Sequence, residues 1–127
     1  MRLVMSVLLV GVAVAACSST LDPATLAGTW SRMEPIPENS SDMTLTTSGS
    51  SISGSGNWCG EALGCGTLSV TGSVMDGAIH LDIAYSNGRI EHFDGRIKAF
   101  TTLDGSVIGE APGQPPQLPY EAIFHRA

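Results

Sequence analysis

Two short repeats carry donor atoms at matched spacing: "HLD" holds His80 and Asp82, and "HFD" holds His92 and Asp94. Two imidazoles and two carboxylates make a donor set suited to zinc. Set opposite one another on neighbouring strands, the same side chains are also cross-strand charge pairs on a solvated face. Such pairs need no ion, so no metal is assigned to them, and His125 is isolated from both repeats. A second group has a different character. Arg32 and Glu91 are charged residues in the inward phase of the strands described below, and Trp58, Tyr85 and Tyr120 share that phase near strand ends. An apolar cup with a few polar groups is the usual composition of a small-molecule site. Arg32, Trp58, Tyr85, Glu91 and Tyr120 are therefore the candidate ligand-binding residues. The competing reading is that the aromatic rings fill the interior and Arg32 pairs with Glu91. Signatures of catalysis are missing: the chain has no Gly-x-Ser-x-Gly, no His-Glu-x-x-His and no phosphate-cradling Gly-x-x-x-x-Gly-Lys. Gly54, Gly56 and Gly60 run from strand into loop with no following helix and read as bend glycines. The reading is a non-enzymatic chain without a cofactor.

Strands must position these residues. The 127 residues suit one small domain, and 15 Gly, 7 Pro and only 14% charged residues favour a β-rich fold. "TTSGSS", "VMDGAI", "YSNGRI" and "TLDGSV" each set a Gly-containing turn between alternating segments, a strong hairpin signal. Eight strands follow: Gly28 to Glu34, Met43 to Ser48, Ser51 to Trp58, Thr67 to Met75, Ala78 to Tyr85, Arg89 to Thr102, Ser106 to Ala111, and Pro119 to Arg126. Register is tested by asking whether a turn aligns apolar faces, because a one-residue slip flips every side chain. An Asp76-Gly77 turn pairs Val74 with Ile79, Gly72 with Leu81, Val70 with Ile83 and Leu68 with Tyr85. A Ser86-Asn87-Gly88 loop pairs Leu81 with Phe93 and Ile79 with Gly95, which also sets His80 opposite Asp94 and His92 opposite Asp82. Gly49-Ser50 aligns Leu45 with Gly54, and Leu103-Asp104-Gly105 aligns Thr101 with Val107 and Ala99 with Gly109. The four turns agree on one buried face.

An even number of hairpin-linked strands with one apolar face closes into a barrel, which removes the sheet edges. The fold class is all-β, an eight-stranded antiparallel up-and-down β-barrel; the alternative is an open β-sandwich. "LAGTWS" resembles the first strand of lipocalin and avidin-like barrels, which open on Gly-x-Trp, here Gly28 and Trp30. The resemblance implies that Trp30 plugs the closed end and that Arg126, in phase with Tyr120, Ala122 and Phe124, lies over its ring. Biotin binding is not implied, because "SRMEPIPENSS" replaces the polar residues that avidins place after the Trp.

The N-terminus has a basic start at Arg2, an apolar stretch from Leu3 to Val14, and Ala15 and Ala16 before Cys17. The stretch falls short of the roughly 20 apolar residues that a membrane span needs. Val14-Ala15-Ala16-Cys17 resembles the lipobox of bacterial lipoproteins. The resemblance implies a signal peptide at 1–16 cut before Cys17, lipid attachment to the Cys17 thiol and acylation of the new amino terminus. Two or more acyl chains anchor stably where one does not. Ser18, in place of Asp, implies forwarding to the outer membrane. With Cys17 lipidated in an exported protein, Cys59 and Cys65 of "CGEALGC" remain as a pair in an oxidising compartment and form a disulfide. The mature chain then carries five basic against twelve acidic side chains, a balance that disfavours nucleic acid as a partner.

The division is thus signal peptide 1–16, lipidated N-terminus and tether 17–27, and barrel 28–127. Up-and-down order places the turns at Gly49, Gly77 and Gly105 at the end from which the tether leaves, near the membrane. "PIPENSSD", "CGEALGCG" and "PGQPPQL" lie at the distal end with Ser86 to Gly88. The expected function is a membrane-anchored, non-catalytic binding module that takes a small apolar ligand in the distal mouth. The alternative is a protein-binding or hydrolase-inhibiting lipoprotein acting through the distal loops.

Overall fold

The computed structural model describes residues 22–33, 39–60 and 64–127. A 3-10 helix at Pro23–Leu26 leads into eight strands: β1 (Gly28–Met33), β2 (Asn39–Ser48), β3 (Ser51–Gly60), β4 (Gly64–Met75), β5 (Ala78–Tyr85), β6 (Ile90–Lys98), β7 (Thr102–Glu110) and β8 (Tyr120–Arg126). Each strand pairs antiparallel with the next, and β8 returns to β1, closing the barrel. The open sandwich is thereby excluded. Alternation along the strands turns one apolar face inward, so that Met43, Leu45, Val70, Ile79, Leu81, Ile83, Phe93, Leu103, Val107 and Phe124 join Trp30 in a single core.

Three of the four turn readings give the register found. Val74 faces Ile79 and Leu68 faces Tyr85 across β4–β5. Leu81 faces Phe93 across β5–β6, and Leu45 faces Gly54 across β2–β3. The fourth differs. The β6–β7 turn is made by Ala99, Phe100 and Thr101, and Val107 pairs with Phe93 instead of Thr101. Ala99 and Phe100 take left-handed φ of 50° and 59°, unfavourable for residues with a side chain. Arg126 steadies them: its Nε donates to the Phe100 carbonyl at 2.9 Å, and its backbone N donates to Thr101 O at 2.8 Å. Gly105, read from sequence as a turn residue, instead lies opposite Gly95 within the ladder. A Cβ on Gly105 would lie 2.1 Å from the Asp94 carbonyl oxygen, so glycine serves close strand approach there.

β2, β3 and β4 are also longer than their apolar pattern suggests. β2 begins at Asn39, with Ser31 Oγ donating to Asp42 Oδ1 at 2.5 Å across the β1–β2 ladder. β3 and β4 continue past Cys59 and Cys65, which face each other in register and are joined as a disulfide.

The end at which β1 begins is closed as the Gly-x-Trp resemblance implies. Trp30 is fully buried, its Nε1 donates to Leu26 O at 2.9 Å, and the Arg126 guanidinium carbon stands 4.2 Å from its ring centroid. Arg126 Nη1 also donates to Ala27 O at 3.0 Å, and Nη2 donates to Thr25 O. Residues 22–27, assigned to the tether in the sequence, are therefore folded against the barrel, with Leu26 buried in the core. Cys17 and the signal segment lie outside the described residues.

Candidate functional site

At the other end of the interior, polar groups replace apolar ones. Arg32 on β1 faces Ser41 on β2, and Ser41 faces Trp58 on β3. Among the described residues the buried polar or charged ones are Arg32, Ser41 and Glu91, all at this distal level.

Glu91 is the hub. Arg32 Nη2 donates to its Oε1 at 2.9 Å and to its Oε2 at 3.2 Å. The Tyr85 hydroxyl donates to Oε1 and the Tyr120 hydroxyl to Oε2, so side chains from β1, β5 and β8 converge on one carboxylate of β6. Burial favours the neutral acid, but the Arg32 charge and the hydroxyls of Tyr120 and Tyr85 outweigh it and hold Glu91 below the usual carboxylate range. Burial, followed by the charge of Glu91, pushes Tyr85 upward. Burial and the hydrogen bond to Glu91 push Tyr120 up to about 12. Both phenols therefore stay protonated and act as donors at neutral pH.

Trp58 forms the apolar wall. Its ring meets Tyr85 edge-on, with centroids 6.2 Å apart at 78°. Trp58 Nε1 donates to Thr67 O at 3.1 Å and to Ser86 Oγ at 3.2 Å. Gly66 makes that contact possible, because a Cβ there would stand 2.2 Å from Ser86 Oγ and 2.8 Å from Trp58 Nε1. The Cys59–Cys65 disulfide begins one residue beyond Trp58 and ties β3 to β4 at the rim.

All five residues singled out in the sequence meet here, and the Arg32–Glu91 pair exists. Three others went unseen. Arg89 Nη2 donates to Tyr120 Oη at 3.2 Å and to Gln117 Oε1 at 2.9 Å, and stands 3.7 Å from Glu91 Oε2. Parity would have found Arg89, two residues before Glu91. Its room comes from Gly109, where a Cβ would lie 2.5 Å from Arg89 Nη2. Ser41 was hidden in a stretch read as loop, and Gln117 follows a Pro-rich segment that has no periodicity.

The histidine repeats lie outside the barrel, in the register expected: His80 faces Asp94 and His92 faces Asp82. The hydrogen bond to Asp94 does most to raise His80 above the usual imidazole range, and the bond to Asp82 does the same for His92.

No family model and no curated protein sequence matches the chain. Among solved structures, EF1p2_mFAP2b bound to DFHBI is similar, with a TM-score of 0.66 and 12% sequence identity over 81% of this chain and 94% of that chain. At that identity the likeness is one of fold, and it identifies the chain as an eight-stranded antiparallel barrel of the same overall architecture.

Proposed function

We propose that the chain is a lipid-anchored, non-catalytic binding protein of a bacterial outer membrane, whose barrel takes a small apolar molecule with one polar group at its distal end. The observation that carries this reading is the axial asymmetry of the interior. Among the described residues, buried polarity is confined to the level of Arg32, Ser41 and Glu91, while the rest of the core is apolar. A ligand entering past Trp58 and Tyr120 meets rings first and then Arg89 and the Glu91 cluster, which orient its polar group. Arg89, whose Nη2 already donates to the Tyr120 hydroxyl and Gln117 Oε1 at the rim, offers a cationic donor there, so an acidic or phenolic group is favoured. A barrel of this fold bound to DFHBI supports the use of the architecture for a small molecule. The anchor rests on the sequence Val14 to Cys17.

Tryptophan fluorescence tests the site. Titration with medium-chain fatty acids, aromatic carboxylates and DFHBI is expected to shift the emission, and Trp58→Phe to remove most of the response while Trp30 still reports folding. No response across these probes would overturn the small-molecule reading and move the binding role to the distal loops. The anchor has its own test: mass spectrometry of detergent-extracted protein is expected to show acyl chains on Cys17, absent in Cys17→Ser.

A further inference from the structure

The outer face of β5 and β6 carries a cluster that the distal site does not use. We propose that His80, Asp82 and His92 form a binding site for a divalent transition-metal ion of the zinc class, with Asp94 and Glu110 orienting the two imidazoles from behind.

The strands dictate the arrangement. His80 and Asp82 are two residues apart on β5 and so share a face, and the β5–β6 ladder sets His92 directly opposite Asp82. The backbone positions of all three donors are thus fixed by sheet hydrogen bonds, with no loop to order on binding. Their ligand atoms lie within 4.8 Å of one another. Asp82 Oδ1 is shared, standing 2.9 Å from His80 Nε2 and 2.5 Å from His92 Nδ1. Four-coordinate zinc, with bonds of about 2.0–2.1 Å, places adjacent donors roughly 3.3 Å apart. Side-chain rotation alone spans that difference.

Cross-strand charge pairing accounts for one carboxylate per imidazole, and more is present. Two imidazoles converge on a single carboxylate oxygen, and each turns its remaining nitrogen to a further carboxylate. His80 Nδ1 lies 2.7 Å from Asp94 Oδ1, and His92 Nε2 lies 3.6 Å from Glu110 Oε2 on β7. Ion, imidazole and carboxylate in line is the arrangement that fixes ring orientation and raises ligand basicity at metal sites. Three carboxylates around two imidazoles also leave a surplus of negative charge for a cation, even with both rings protonated. Two nitrogens and one oxygen suit zinc over calcium or magnesium, which prefer oxygen alone. Three protein ligands leave the fourth position to water.

The test uses the full chain in detergent, stripped by chelator and titrated with zinc chloride calorimetrically and with cobalt(II) by visible absorption. One zinc per chain and a four-coordinate cobalt spectrum are expected. His92→Ala and Asp82→Asn should abolish stoichiometric binding, and Asp94→Asn should weaken it by about 10- to 100-fold. His125→Ala should bind as the parent does. Absence of zinc uptake, or equal uptake by a His80→Ala/His92→Ala double variant, would overturn the site. The half-exposed positions make folded variants the expectation, checked by circular dichroism. Imidazole nitrogen resonances of the unaltered chain give an independent readout: zinc should move those of His80 and His92 and leave His125 in place, and unmoved His80 and His92 signals would refute the proposal.

Discussion

Glu91 concentrates the electrostatics of the interior, because one buried carboxylate accepts from Arg32, Tyr85 and Tyr120. Removing one partner of a buried ion pair costs about 3–5 kcal/mol, so Glu91→Gln is expected to lower stability by several kcal/mol in urea unfolding. The sign of the pH effect follows from the direction of its pKa. Glu91 titrates below its unfolded value, so its contribution is fully present above pH 4.5 and is lost as pH falls through the folded value. Unfolding of Glu91→Gln should therefore show a shallower acid limb than the parent. Arg32 and Glu91 were legible from parity alone, since a charged residue in the inward phase requires a partner. Ser41 and Gln117 were not, because the sequence around each lacks an apolar alternation to count from.

At the level of elements, one dipeptide serves two purposes. Asp76-Gly77 is a hairpin turn with φ of 51° and 78°, as the flanking pattern indicates. Asp104-Gly105 sits inside β7, where what matters is the missing Cβ. The sequence cannot separate these uses of glycine without knowing what lies opposite. Choosing the wrong turn moved the β6–β7 pairing by eight positions, an even number, so Val107 and Gly109 belong to the inward face in either register, while Leu103, read as a turn residue, joins that face only in the register found. Facing was therefore legible where partners were not. The close approach yields a prediction: Gly105→Ala must displace the Asp94 carbonyl and should cost about 1–3 kcal/mol in chemical denaturation. Gly49→Ala, which meets no neighbouring atom, should suffer only the conformational cost of its φ of 58°.

The whole molecule is a barrel with unlike ends, one sealed by Trp30 under Arg126 and the other lined by Trp58 and the Glu91 cluster. Trp30→Ala is expected to cost about 3–5 kcal/mol and to exceed the loss for Trp58→Ala, measured as the difference in unfolding midpoint. Comparable losses would mean that Trp58 is as structural as Trp30. The architecture was readable because every strand pairing but one joins neighbours in sequence. The seam between β1 and β8 is the exception, made by Trp30 with Arg126 and Ser31 with His125. It has a kinetic consequence. Seven hairpins zip through loops far shorter than the 101 residues across which Arg126 and Thr25 meet, the side-chain hydrogen bond with the largest loop entropy among the described residues. Closure is then the last event of folding and the first of unfolding. Arg126→Ala should accelerate unfolding in stopped-flow measurements while leaving the refolding rate nearly unchanged, so the lifetime of the native barrel is governed by its clasp more than by its core.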